Sequence, residues 1–185
     1  MYGWSGHEDL IGAVAVLQRQ PDVRQGRIGG LGLSVGGEML LQTAAETTGL
    51  KGVVSEGAGR RSLREHLHIP TLGAVQKWLT PWIAQTGALM VMSNAAPPPY
   101  LGDVVARIAP RPILLIYSRH GLDDESLNRV YYASAHQPKA LWEVPRGGHT
   151  GALQAVPVQY EARVVSFLDR ALLTGQNRHL RGNSH

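Results

Sequence analysis

The sequence contains no cysteine, which excludes a disulfide scaffold, a thiolate zinc site and a cysteine nucleophile. Aromatic residues make up only 6%, with a single phenylalanine, so few rings are available for stacking on bases. No apolar run approaches the roughly 20 residues that span a bilayer. Met1-Tyr2-Gly3-Trp4 has neither the charged start nor the apolar centre of a secretory leader. The default expectation is a cytoplasmic protein. A block of one-sign charge is also lacking. The net charge of +4 comes mainly from dispersed arginines, a distribution that favours solubility over nucleic-acid binding. The densest groups, Arg60-Arg61-Arg64 and Arg178-Arg181, have no aromatic residues between them, and no nucleic-acid partner is expected.

What is present suits one globular unit: 43% of the residues are hydrophobic and 17% charged. From Gly6 to Gln20, Leu10, Ile11, Val14 and Leu17 share a helical face, with Glu8 and Asp9 in the first turn, where the helix dipole favours acids. Arg27 to Leu33 is short, apolar and glycine-rich, the pattern of a strand buried on both faces. A helix over about 35–48 follows, stopped by Gly49, and Lys51 to Glu56 is the second strand. Arg111 to Ser118 is the strongest strand pattern and Ala140 to Val144 the fourth, with a helix over Ser126 to His136 between them. A last helix spans about 157–173, with Val158, Ala162, Val165, Leu168 and Leu172 as its expected buried face. Strands alternating with helices predict an α/β fold: a three-layer αβα arrangement around a mostly parallel sheet of about four strands, with its site at the strands' carboxyl ends.

Residues 60–100 break this rhythm. They carry Trp78, Trp82, Leu89, Met90 and Met92 in short helical pieces before Pro97-Pro98-Pro99. An insertion between two core strands belongs on the site side of the sheet, so Trp78, Trp82, Met90 and Met92 are expected to form part of a mobile lid. The whole reads as a single domain over 1–174 with this lid-like insertion, followed by a flexible tail over 175–185.

Chemistry concentrates at three strand ends. Gly32-Leu33-Ser34-Val35-Gly36 places Ser34 at a strand-to-helix corner, the pattern of a nucleophile elbow. The flanking glycines meet the demand for small neighbours, and the next helix aims its first N–H groups at the serine. With 22 glycines in 185 residues the pentapeptide arises readily by chance, so context must carry it. The context is an acidic loop, Asp123-Asp124-Glu125, after the third strand and His149 after the fourth, in a loop made pliant by Gly147, Gly148 and Gly151. A serine, a base and an acid in reach of one another form a nucleophilic relay. Any of the three carboxyl groups could orient the imidazole. His66, His68, His120 and His136 have no carboxylates or cysteines spaced to complete a metal site. No metal and no other cofactor is implied.

Three segments, Gly-Arg-Ile-Gly-Gly-Leu-Gly-Leu-Ser-Val-Gly-Gly-Glu, Ile-Ala-Pro-Arg-Pro-Ile-Leu-Leu-Ile and Leu-Trp-Glu-Val-Pro-Arg-Gly-Gly-His-Thr-Gly, resemble the α/β-hydrolase superfamily. The likeness is to its bacterial dienelactone-hydrolase-like and serine-peptidase-like members, and it covers nearly the whole chain. It implies a serine hydrolase acting on a small-molecule ester or peptide, with Ser34 as nucleophile, His149 as base and the backbone N–H of Val35 as one oxyanion donor. Among the acids it implies Glu125 first, Asp124 second and Asp123 third. It also implies a truncated α/β-hydrolase fold, since the second oxyanion donor and the strand flanking the 27–33 segment come from a part N-terminal to residue 1. The chain would then be a fragment or a reduced hydrolase. A catalytically inert module acting through association is the alternative, and a basic binding protein a third. The edge at 27–33 is expected not to stay bare: a homodimer through it, residues 1–6 packed across it, or aggregation are the three outcomes.

Overall fold

The computed structural model describes residues 4–66, 68, 72–93, 96–122 and 124–173. Four apolar segments become the strands β1 (Ile28–Leu33), β2 (Leu50–Glu56), β3 (Ile113–Ser118) and β4 (Lys139–Val144). They lie in the order β1-β2-β3-β4, with every neighbouring pair parallel. The register aligns Leu33 with Glu56 and Glu56 with Ile116, and sets Ser118 against Val144. The carboxyl ends of all four strands therefore reach one rim of the sheet.

Helices cover both faces, giving the three-layer architecture that the alternation of patterns predicts. On one face lie α1 (Gly6–Arg19), α2 (Val35–Glu46), α5 (Leu101–Ala106) and α6 (Leu127–Ser134). Their core joins Val14, Leu41, Leu101 and Tyr131 to Leu50, Ile113 and Leu115 of the sheet. The short α7 (Ala152–Ala155) and the long α8 (Pro157–Leu173) cover the other face, where Tyr160, Val164 and Phe167 pack on Val54, Leu114, Ile116 and Trp142. β3 is buried at all six positions, as its unbroken apolar run requires of a strand covered on both sides. Between β2 and β3 lie α3 (Leu63–His66) and α4 (Leu72–Ser93). Among the described residues, no helix is long and apolar enough to cross a membrane.

Several elements differ from the sequence-based expectation. β1 is half exposed rather than buried on both faces: Leu31 is 44% and Leu33 45% accessible, because among the described residues β1 pairs only with β2 and forms an edge. The buried face of α8 is the 160/164/167 stripe, with the expected Leu168 packed beside it and Leu172 close to Gly29 of β1, while Val158 is 80% accessible and Val165 is also exposed. Two apolar stripes compete on this helix, and the one carrying Tyr160 and Phe167 removes more surface from water. The expected short helical pieces include α4, a single helix of 22 residues with Pro81 inside it. Proline removes one backbone bond there, but leucine, methionine, alanine and glutamine on either side favour the helix strongly enough to continue it. α5 and α7 carry no strong periodicity and were not anticipated. The side chains of Trp78 and Trp82, both assigned to a lid, and residues 174–185, which include the tail, lie outside the described residues.

Candidate active site

Ser34 occupies the single residue between β1 and α2, with φ 53° and ψ −127°. Such a conformation costs a non-glycine residue on the order of 1–3 kcal/mol, so neighbouring bonds must hold it. Its N–H donates to the Glu56 carbonyl at 2.8 Å, and its own carbonyl accepts from Gly37 N–H at 2.9 Å and Glu38 N–H at 3.2 Å. A Cβ on Gly32 would come within 2.5 Å of the Gly36 carbonyl oxygen, so the chain can turn this tightly only with glycine there. The second glycine of the pentapeptide is different. A Cβ on Gly36 would meet open space, whereas one on Gly37 would lie 2.4 Å from Ser55 Oγ. The steric demand after the serine thus falls on Gly37 and not on Gly36, because the position three along faces the sheet.

The loop after β4 carries His149 to the same rim. Its Nε2 lies 2.8 Å from Ser34 Oγ and its Nδ1 2.6 Å from Glu125 Oε1. Glu125 is 1% accessible. Its Oε2 accepts the Ser118 N–H at 2.9 Å and its Oε1 the Leu122 N–H at 3.1 Å, so the carboxyl group is fixed before it meets the imidazole. A Cβ on Gly121 would sit 2.1 Å from that same Oε1; a glycine there makes the room. Asp124 turns the other way, accepting Arg60 N–H at 3.2 Å with Arg60 Nε 3.8 Å from the same oxygen. Asp123 lies outside the described residues. Val35 opens α2 and lines the cavity beside Ser34. The first N–H groups of a helix have no intrahelical acceptor and sit at its positive end.

A cavity of about 430 Å³ opens over Ser34 and His149. One wall is largely apolar, with Pro81 and Leu89 of α4, Pro98, Leu122 and Trp4. The lining is also polar in part, with Gln85 and Thr86 of α4 and with Glu38, Arg60, Arg61 and Asp124. Of the side chains assigned to a lid, Met90 is 43% and Met92 79% accessible, and the cavity is met instead by their neighbour Leu89.

The polar lining was not foreseen, because Glu38 and Arg61 read as solvated helix and loop residues. Their position next to the elbow and after the Gly57-Ala58-Gly59 turn was the available signal. Burial pushes the Glu38 carboxyl from an ordinary 4.5 up to about 7, against the opposing pull of Arg61 and the Gly59 N–H. The folded chain therefore holds this proton more tightly than the unfolded chain does. Its contribution to stability is complete below about pH 4.5 and declines as pH rises through about 7. Arg61 donates to the Glu38 carbonyl at 3.2 Å and to Gln42 Oε1, and its N–H donates to Glu65 Oε2 at 3.0 Å. This ties the 57–61 loop to the first turns of α2. Among the described residues, no group of three or more His, Asp or Glu is placed to hold a metal ion.

The fold, a parallel sheet with helices on both faces, recurs in solved structures. GrgF, an α/β-hydrolase of Penicillium sp. sh18, superposes with a TM-score of 0.68 at 16% identity, over 93% of this chain and 73% of that one. This chain has an α/β-hydrolase fold. The same fold relates it to the esterase Pf2001 of Pyrococcus furiosus, with a TM-score of 0.65 at 19% identity over 93% of this chain and 64% of that one. It also relates it to a dienelactone hydrolase of Anabaena variabilis, with a TM-score of 0.61 at 20% identity over 90% and 59%. The chain thus spans between 59% and 73% of the length of these α/β-hydrolase folds. No protein-family model matches it, and no curated protein matches it in sequence.

Proposed function

We propose that the chain is a serine hydrolase that cleaves carboxylic ester, or peptide and amide, bonds through an acyl-enzyme on Ser34. The observation that carries this reading is the line Ser34 Oγ, His149 Nε2, His149 Nδ1, Glu125 Oε1, with its two gaps of 2.8 and 2.6 Å. In the first half-reaction the Ser34 hydroxyl gives its proton to His149 Nε2 as Oγ bonds to the acyl carbon. Glu125 holds the ring and stabilises the imidazolium. The proton passes to the leaving group, and water activated by the same imidazole then releases the acid and restores the serine. The Val35 N–H is one donor to the carbonyl oxygen as it becomes an oxyanion, a contact whose removal costs about 2.7–4 kcal/mol of transition-state stabilisation in related sites. The neighbours named as hydrolases and esterases support the reaction class. The test is covalent. A fluorophosphonate should add once to the protein, and the modified peptide should contain Ser34. An unlabelled protein, or a label elsewhere, would remove the assignment.

The α4 wall is the proposed lid and acyl-group determinant. Leu89→Ala should shift preference toward longer acyl chains by several-fold in kcat/KM, while the melting temperature stays within a few degrees. An unchanged chain-length profile with a large loss of stability would make α4 a packed accessory helix instead.

The β1 edge leaves a row of backbone donors and acceptors with no strand beside it among the described residues, next to exposed Leu31 and Leu33. Such an edge is a template for pairing. A homodimer through residues 27–33 would extend the sheet and could bring a second oxyanion donor to Ser34. Light scattering at low micromolar concentration should show a dimer, and activity per chain should fall on dilution. A monomer of constant specific activity would contradict both statements. The second reading, an inert module acting through association, rests on this same edge, and would be favoured by a stable dimer that does not label.

A further inference from the structure

β2 ends on Glu56, whose side chain is 2% accessible at the rim where the strands deliver the site. A carboxyl group buried this deeply needs hydrogen-bond partners. Among the described residues its interactions run to the segment that follows His149. Glu56 Oε1 accepts the Ala152 N–H at 3.0 Å, and the Tyr160 hydroxyl of α8 interacts with the same carboxyl group. Burial first, and the interaction with Glu56 second, raise the Tyr160 hydroxyl well above its usual range.

Ala152 is three residues beyond His149 and opens α7. Between them Thr150 takes φ 52°, a conformation unfavourable for a β-branched residue and in need of an external hold. Gly57, the next residue after Glu56, has φ +68°, and a Cβ there would stand 3.1 Å from both His149 Cε1 and Thr150 Cγ2. The histidine loop therefore lies directly on the end of β2. The main chain of the same residue acts on the opposite partner, since the Glu56 carbonyl accepts the Ser34 N–H at 2.8 Å. One residue grips the serine corner with its backbone and the histidine loop with its side chain.

We infer that Glu56, backed by Tyr160, is a positioning residue that sets the separation of Ser34 and His149. This rests on the serine-hydrolase reading for its consequence in turnover, although the placement of the imidazole is measurable without it. A misplacement of about 1 Å at a reacting pair lowers rate about 10²-fold, and binding of an ester in the cavity does not depend on it.

The experiment uses the full chain and p-nitrophenyl acetate. Glu56→Ala should lower kcat about 10²-fold with KM within a few-fold. Glu56→Gln keeps the oxygen that accepts the Ala152 N–H, so it should recover most of the loss. Tyr160→Phe, which keeps the ring against Trp142, should lower kcat several-fold and serves where Glu56→Ala does not fold. In parallel, proton NMR should show the low-field resonance of the His149 Nδ1 proton in the wild-type protein, and its shift or loss in Glu56→Ala or Tyr160→Phe. Wild-type kcat and an unmoved resonance in a folded variant overturn the inference. So does a loss that Glu56→Gln leaves uncorrected. If the wild-type chain neither hydrolyses nor labels at Ser34, the proposed function fails, and the resonance alone then decides whether Glu56 places the imidazole.

Discussion

Ser34→Ala should lower kcat for an activated ester by about five to six orders of magnitude with KM nearly unchanged, since the members of such a relay act as one unit. The elbow presents one hydroxyl, 2.8 Å from the imidazole, and an alanine leaves the cavity, the helix N-terminus and the base intact but removes the atom that bonds to the acyl carbon. The same variant should lose all labelling by the fluorophosphonate. Turnover within tenfold of wild type would assign the reaction to another group. The variant should fold, because the bonds that hold residue 34 are made by its backbone.

The second large effect belongs to the acid. Glu125→Gln should lower kcat by about 10⁴-fold, the loss seen where an amide replaces the carboxylate and the imidazole is held in the wrong tautomer. An amide NH₂ facing Nδ1 would favour the proton on Nε2, which then cannot accept from Ser34 Oγ. Asp124→Asn should cost tenfold at most, since that carboxyl group contacts Arg60 and the 57–61 loop. Equal effects at the two positions, measured as kcat with the same ester, would show that neither carboxyl group orients His149.

Much of this site can be read in the sequence because its parts sit at strand ends. Each strand is a short apolar run whose end is marked by a turn residue, and a parallel sheet brings those ends to one rim whatever the loops do. Ser34 and His149 follow from that rule and their spacing. The choice among Asp123, Asp124 and Glu125 does not, because adjacent residues point in different directions and the pattern cannot say which one turns inward. Here the Glu125 carboxyl meets His149 Nδ1 at 2.6 Å in the room that Gly121 leaves for it, a feature that carries meaning only once the loop is folded. α4 was illegible for a different reason: apolar residues occur all around it and Pro81 interrupts it, so neither period nor punctuation marks its ends. α8 shows the limit of periodicity itself, since two stripes fit and only contact with the sheet selects the one bearing Tyr160 and Phe167. The resemblance implied that β1 lacks a neighbour on one side, and among the described residues β1 is an edge; only its composition, that of a strand buried on both faces, misleads, because an edge leaves Leu31 and Leu33 exposed.

The proposed nucleophile and base stand 115 residues apart in sequence, and three parallel pairings separate the strands that carry them. On an emerging polypeptide Ser34 is therefore an ordinary alcohol. It acquires a proton acceptor only after β4 has left the ribosome and docked, and the loop beyond it has closed on the end of β2. On the proposed reading, a product of premature termination between the elbow and residue 149 would carry the complete elbow and be chemically silent, and the cell would meet no stray acyl-transfer activity from half-made chains.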